Sequence, residues 1–134
     1  MNTPSDPGGH TQTIERFFSA IRDGDGPVLL EILTDEAVTR WPQSSERITG
    51  AMSCVRVYEA YPGGPPAFHI ERISGSGDLW VAELAADYGT DRWYTVSIVE
   101  FDGSRIARMT DYFGPAFPAP EWRRGMVDLE VAAT

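Results

Sequence analysis

The stretch Gly103-Ser104-Arg105-Ile106-Ala107-Arg108-Met109-Thr110-Asp111-Tyr112-Phe113-Gly114 decides how the rest of the chain is read. Its residues alternate with the two-residue period of an extended strand. Ala107, Met109, Asp111 and Phe113 fall on one side, and Ile106, Arg108, Thr110 and Tyr112 on the other. The first row is apolar apart from Asp111. A carboxylate in an otherwise apolar row is either solvated at the strand end or held in a hydrophobic pocket for chemistry.

Upstream, residues 67–74, 79–88 and 92–101 alternate in the same way, and 105–113 completes the set. Gly75-Ser76-Gly77-Asp78, Gly89-Thr90-Asp91 and Asp102-Gly103-Ser104 separate them, and such short polar connections indicate hairpins. The pattern before residue 62 is helical. Ile14, Phe17, Phe18 and Ile21 recur at helical spacing, which predicts an amphipathic helix over 11–22. Asp25 caps a second short helix, with Pro27 in its first turn and Val28, Leu29, Ile32 and Leu33 turned inward. Ala37 to Trp41 reads as a short strand stopped by Pro42. Thr49 is the expected N-cap of a third helix with Ala51, Cys54, Val55 and Tyr58 as its buried stripe. Tyr61-Pro62-Gly63-Gly64-Pro65-Pro66 ends it. Three helices followed by an antiparallel meander imply an α+β fold, with the helices packed on one face of a strongly curved sheet. Residues 1–10 read as a disordered tail, 11–124 as one domain and 125–134 as a C-terminal tail.

The composition narrows the function. A net charge of -9 repels phosphate backbones and anionic membranes, so nucleic-acid and membrane partners are not expected. No apolar run spans a bilayer and the first residues lack the form of a signal peptide, which leaves a cytoplasmic location as the default. Lysine is absent, which removes Schiff-base and P-loop lysine chemistry. Cys54 is the single cysteine, so no intrachain disulfide forms and no thiolate zinc site exists. His10 and His69 are isolated and make no metal cluster.

This order of elements resembles the nuclear transport factor 2-like superfamily, and the local wording is most similar to its SnoaL-like polyketide cyclase and ketosteroid isomerase-like branch. Ile14-Glu15-Arg16-Phe17-Phe18, Trp41-Pro42-Gln43-Ser44, Glu46-Arg47-Ile48-Thr49-Gly50, Val99-Glu100-Phe101-Asp102-Gly103 and Ile106 to Gly114 carry the resemblance. It implies a sheet that closes into a cone around a pocket. Ketosteroid isomerases place a tyrosine and two acids where this chain has Phe17, Trp41 and about Ser97, so that mechanism is not expected. Limonene epoxide hydrolase-like members place an acid on the last strand, matched here by Asp111. Their Arg-x-Asp pair falls near Val81 and Glu83, and the tyrosine and asparagine that hold their water fall near Val38 and Arg40.

The expected site is therefore a pair of carboxylates, Asp111 as principal acid/base and Glu83 as its partner, both facing an apolar cone. Desolvation raises carboxyl pKa values, and two nearby acids ionise in separate steps, one serving as base and one as proton donor. Such a pair isomerises, cyclises or hydrolyses a small, largely apolar carbonyl or epoxide compound without a cofactor. By strand parity Trp93, Thr95, Ser97 and Val99 share the inner face with Ala107, Met109 and Phe113, while Val81 and Ala85 flank Glu83. Trp41 and Tyr58 are wall or rim groups, Trp122 closes the mouth and His69 is a proton shuttle if it faces inward. The structural alternative pairs Asp111 with Arg108 or Arg40. Two further classes fit the same fold: a non-catalytic binder of a small hydrophobic ligand, and a dimerisation module. The row Trp80, Ala82, Leu84, Ala86 and Tyr88 is the expected homodimer surface.

Overall fold

The computed structural model describes residues 8–88 and 90–130. The apolar stripe Ile14, Phe17, Phe18 and Ile21 makes α1 (His10–Asp23), which stops where Gly24 adopts a left-handed conformation and its N–H reaches the carbonyls of Ala20 and Ile21. The Asp25 side chain accepts from the Val28 amide and opens α2 (Gly26–Ile32). From there the chain runs without a loop into β1 (Leu33–Trp41). A short 3-10 turn at Pro42–Ser44 leads to β2 (Glu46–Thr49), and Gly50, at φ 96°, precedes α3 (Ala51–Glu59). Thr49 thus ends a strand, and Gly50 holds the cap position expected of it. Four longer strands follow, β3 (Phe68–Ser76), β4 (Leu79–Tyr88), β5 (Asp91–Asp102) and β6 (Arg105–Pro115), and then a 3-10 turn at Glu121–Met126.

The strands form one curved six-stranded sheet in the order β2-β1-β6-β5-β4-β3. Neighbours are antiparallel except β1 and β6, whose parallel pairing sets Arg40 beside Thr110, and the next residue on each strand, Trp41 and Asp111, meet through a hydrogen bond. Sequential hairpins alone would have left β1 at an edge; its insertion against the last strand is what brings the two ends of the domain together. One face of the sheet is covered by the three helices. Trp80, Ala82, Leu84, Val99, Phe101, Ile106 and Met109 from the sheet pack there against Ile14, Phe17, Phe18, Ile21, Leu29 and Cys54.

Cross-strand register settles which row faces the helices. Ala82 pairs with Ser97 and Ser97 with Asp111; Leu84 pairs with Thr95 and Thr95 with Phe113. Directly opposed residues point to the same face. The row Trp80, Ala82, Leu84 and Ala86, expected as an outer homodimer surface, is therefore the buried inner row. Val81, Glu83 and Ala85 lie on the outer face. Both rows of β4 are apolar enough to read as buried, so alternation alone left the phase of this strand open. Ala107 is likewise not an inner residue. A bulge between Glu100 and Phe101 shifts the register, and Ile106 takes the buried place while Ala107 is half-buried.

Two local devices fix the hairpins. At Gly75, φ 155°, an added Cβ would sit 2.5 Å from the Leu79 carbonyl and 2.7 Å from the Trp80 Cα, so no side chain fits. His10 is not part of a tail. It is the first residue of α1, buried, stacked on Phe101 at 3.8 Å, with its ring nitrogens 3.0 and 3.1 Å from the carbonyls of Gly77 and Gly103. Residues 1–7 of the expected N-terminal tail and 131–134 of the C-terminal one lie outside the described residues. No helix among the described residues is long and apolar enough to cross a membrane.

Candidate active site

The inner face of the sheet and the C-terminal end of α3 enclose a cavity of about 400 Å³. Tyr61 and Pro62, just after α3, form its wall on the helix side, and Phe68, Ala86, Tyr88, Trp93, Thr95 and Phe113 form it on the sheet side. Below it lies a second chamber of about 20 Å³, which shares Tyr61, Phe68, Thr95 and Phe113 with the first. Phe18, Trp41, Tyr58, Ser97 and Asp111 close its floor. The two together make a funnel, wide and aromatic above, one water-sized space below.

Asp111 sits at the bottom with 5% of its surface exposed. Its Oδ2 accepts a hydrogen bond from the Trp41 indole Nε1–H at 3.0 Å. Its Oδ1 and the buried Oγ of Ser97, the residue directly opposite on β5, make no hydrogen bond of good geometry, yet Ser97 lies close enough to favour the charged carboxylate. Burial raises the Asp111 pKa above the ordinary carboxylate value; Ser97 and the Trp41 N–H act in the opposite sense by favouring the charged form. Among the described residues no arginine forms an ion pair with it. Arg108 is paired instead with Glu100, at 3.8 Å on the outer face.

The neighbouring groups are uncharged. Burial pushes the Tyr58 phenol well above its usual pKa, and the charge of Asp111 adds to the effect, so Tyr58 is a proton-bearing group at any ordinary pH. Cys54 lies behind Asp111, its thiol pushed up to about 11 by burial and held near Thr39. That thiol is a core group, inert as a nucleophile. At the mouth, burial and a hydrogen bond with Tyr61 raise the Tyr88 phenol. Tyr58 and Tyr61 lie parallel with centroids 6.2 Å apart, and Tyr88 meets Trp93 edge-on at 6.1 Å.

The structure brings together Asp111, Trp41, Tyr58, Ser97, Trp93 and Phe113 of the residues singled out in the sequence. Met109 is on the same face but buried in the core beneath them. Three others lie elsewhere. Glu83 is on the outer face, paired with Val96, and its carboxylate binds Arg72 at the surface; it is not a partner of Asp111. His69 pairs with Ala85, so it too is an exposed outer-face residue and no inward proton shuttle. Trp122 is 74% exposed with Arg123 stacked over its ring, and it lines neither chamber. Three lining residues escape the sequence reading: Tyr61 sits in the segment that ends α3, Tyr88 belongs to the row expected outside, and Phe68 carries no signal beyond its strand. So does Gln43 escape it. From the 3-10 turn after β1, its amide donates to the Phe113 carbonyl and accepts from the Phe113 N–H, both at 2.7 Å. A glutamine side chain thereby supplies the two bonds a neighbouring strand would have made.

Among the described residues no group of three or more His, Cys, Asp or Glu is placed to hold a metal. The site holds one buried carboxyl able to transfer a proton, with hydroxyl and indole donors around it.

Comparisons with known proteins agree with this architecture. The family model described as the SnoaL-like domain matches residues 14–109. The structure of an NTF-2 like protein of unknown function from Burkholderia xenovorans LB400 is 33% identical, covers 96% of this chain and 100% of its own, and superposes with a TM-score of 0.82. A provisionally named ketosteroid isomerase from Kribbella flavida has the same TM-score of 0.82 at 21% identity, covering 97% of this chain and 96% of its own, a likeness that speaks for the fold. An LEH-like epoxide hydrolase from M. tuberculosis is 25% identical over 77% of this chain and 80% of its own, with a TM-score of 0.65. No curated protein matches the chain.

Proposed function

The chain belongs to the SnoaL-like domain family, and on that premise we propose that it is a cofactor-independent acid/base enzyme acting on a small, largely apolar carbonyl or epoxide compound in the funnel. One observation carries the reading: a carboxyl held out of water at the base of an apolar cavity, with one oxygen anchored by Trp41 and the other without a hydrogen bond of good geometry. Structures named for isomerase and epoxide hydrolase activity share the fold, so a proton-transfer site in this cavity has precedent in the architecture.

A single carboxyl suffices for the chemistry. Protonated Asp111 gives its proton to the substrate's oxygen. The carboxylate so formed takes a proton from the carbon beside the carbonyl, and the C–H electron pair becomes the new C=C bond of the enol. In a conjugated enol, return of the proton at the far carbon while the enol O–H proton goes back to Asp111 completes an isomerisation. Alternatively the enol carbon adds to a second carbonyl of the same substrate, the C=O pair becoming a new O–H with the proton released by the enol, and a ring closes with no atom gained or lost. With an epoxide, the same proton accompanies C–O cleavage, and Asp111 recovers a proton from the attacking water. The desolvated carboxyl suits both halves, because burial favours its acid form while the Ser97 hydroxyl and the Trp41 N–H favour its charged form. Tyr58 and Ser97 supply neutral donors for the charge that develops on oxygen.

The test is turnover of a panel of neutral cyclic ketones and epoxides by wild type and Asp111→Asn. The variant keeps the size of the side chain and an acceptor for Trp41, so it is expected to fold as wild type. Its turnover is expected to fall about 10²- to 10⁴-fold. Undiminished turnover would overturn the role of Asp111. Ligand binding without turnover by the wild type would leave a non-catalytic binder.

The same proposal includes a homodimer formed through the outer face of the sheet. Tyr94, Val96 and Tyr112 are 46%, 39% and 44% exposed there, a half-open apolar centre. Charges of both signs surround it, in the pairs Arg72–Glu83, Arg92–Glu71 and Arg108–Glu100. A mixed-charge rim around an apolar centre is self-complementary under a two-fold axis.

A further inference from the structure

We infer that the segment after β6, residues 116–130, is an arm that packs on a second copy of this chain, across the outer face of that copy's sheet, so that two chains exchange arms. This rests on the homodimer proposed above and names what holds it together. Three observations point to it. The first is that the arm is apolar and leaves its own domain. Phe117 and Trp122 are 76% and 74% exposed, and Met126 and Leu129 hardly less. Single surface hydrophobics are ordinary, but four large ones in one short segment form a patch. Among the described residues, the last hydrogen bond tying this segment to the sheet runs from the Ala116 amide to the Arg92 carbonyl, at 2.8 Å.

The second observation is stiffness. Pro115, Pro118 and Pro120 punctuate the start of the arm, and Pro120 has φ -67° and ψ 148°, the polyproline geometry. An extended run from Pro115 to Trp122 reaches about 20 Å, the breadth of about four paired strands. Such an arm projects from the end of β6 instead of folding back. The turn at Glu121–Met126 is held locally, with Arg124 3.5 Å from Glu121 and the Arg123 guanidinium 5.5 Å from the centre of the Trp122 ring. A segment ordered before it docks loses little conformational entropy on docking.

The third observation is a receiving surface of the same character. On the outer face Leu79, Tyr94, Val96 and Tyr112 stay exposed with the arm in place. Val96 pairs with Tyr112, and Tyr94 pairs with Gly114, just before the point where the arm departs. The arm thus starts at one end of this stripe and leaves it open. One chain carries both an arm and a stripe, and a two-fold axis covers both at once, each contact being made twice. Phe117 and Trp122 alone offer roughly 300 Å² of ring surface. Added to Met126, Leu129 and the stripe, this comes to roughly the 800 Å² that each partner of a stable dimer buries. Charges of both signs flank the arm, Glu121 with Arg123 and Arg124, as they flank the stripe, so the two rims are complementary.

The test keeps the chain at full length. A double variant, Phe117→Ser with Trp122→Ser, removes two rings from an exposed segment and is expected to fold as wild type. Its dimer dissociation constant, from sedimentation over a range of concentrations, is expected to rise about 100-fold or more, the effect of losing two anchor residues. A nitroxide on Asp128→Cys then locates the arm, since the one native thiol, Cys54, is buried and unreactive. The spin-labelled chain is mixed with an isotope-labelled chain that carries no nitroxide, so the NMR signals broadened are those of the other copy. Broadening is expected at the outer face, at Leu79, Tyr94 and Val96, and not over the three helices. An unchanged dissociation constant in the double variant would overturn the inference and leave a homodimer held by the sheet face alone. Broadening that is absent between copies, or centred on another surface, would overturn it too. A wild type that is monomeric at every concentration would remove the homodimer and the exchange together.

Discussion

Asp111 carries opposed demands, and they make its titration visible in stability. Burial raises the pKa of its carboxyl in the folded chain above the unfolded value of about 4. The folded state then holds this proton more firmly than the unfolded state does. Below the unfolded pKa both states are protonated and the position adds no penalty. As pH rises through that value towards the raised folded one, stability is lost, and above it the loss is complete. Asp111→Asn has no such dependence. It is expected to melt at higher temperature than wild type at about pH 8, with the gap closing towards about pH 4, the unfolded carboxyl value. Thermal melts of both proteins across this range check it, and a gap that stays constant with pH would show that burial does not penalise the charged form. A gain in stability at the cost of turnover is the usual mark of a functional group held in an unfavourable place.

At the scale of an element, the end of β6 is held by a residue outside the sheet. Gln43 makes both backbone hydrogen bonds of Phe113 at 2.7 Å, and the Trp41 ring lies 5.7 Å from the Phe113 ring. Trp41 binds Asp111, and Phe113 walls both chambers, so the turn after β1 sets the position of two site residues at once. Gln43→Ala is expected to speed hydrogen exchange at the Phe113 amide about tenfold, since that amide loses its acceptor. Gln43→Glu keeps the acceptor and is expected to leave the amide protected while the carbonyl bond is lost. Equal protection in wild type and Gln43→Ala would show that the strand end needs no clamp.

For the whole molecule, the two faces of the sheet differ in what they hold. The inner face holds Ser97, Asp111 and the aromatic funnel; the outer face holds Tyr94, Val96 and Tyr112. Val96 and Ser97 are adjacent in sequence and point to opposite sides, so a substitution at one leaves the other's surroundings in place. Val96→Arg sets two like charges against each other across a two-fold interface. It is expected to convert the proposed homodimer to monomer, seen as a halved mass in light scattering, while turnover in the funnel is unchanged. A wild type that runs as a monomer at every concentration would remove the outer face as an interface.

The sequence by itself determined the elements. Helical spacing in Ile14, Phe17, Phe18 and Ile21, the Asp25 cap and the glycine-punctuated strands after residue 66 are local signals, and each appears in the structure close to where it was read. It also marked Asp111, because a lone acid in an apolar row is visible in one strand. The tertiary structure alone decided which acid stands by itself and what surrounds it. Glu83 and Trp80 sit on adjacent rows of a strand apolar on both, and only pairing with β5 and β6 put Trp80 inside and Glu83 outside. The parallel insertion of β1, which delivers Trp41 to Asp111 across 70 residues, has no local signature. Periodicity records which residues share a face; which face becomes the interior is fixed by contacts between segments far apart in the chain.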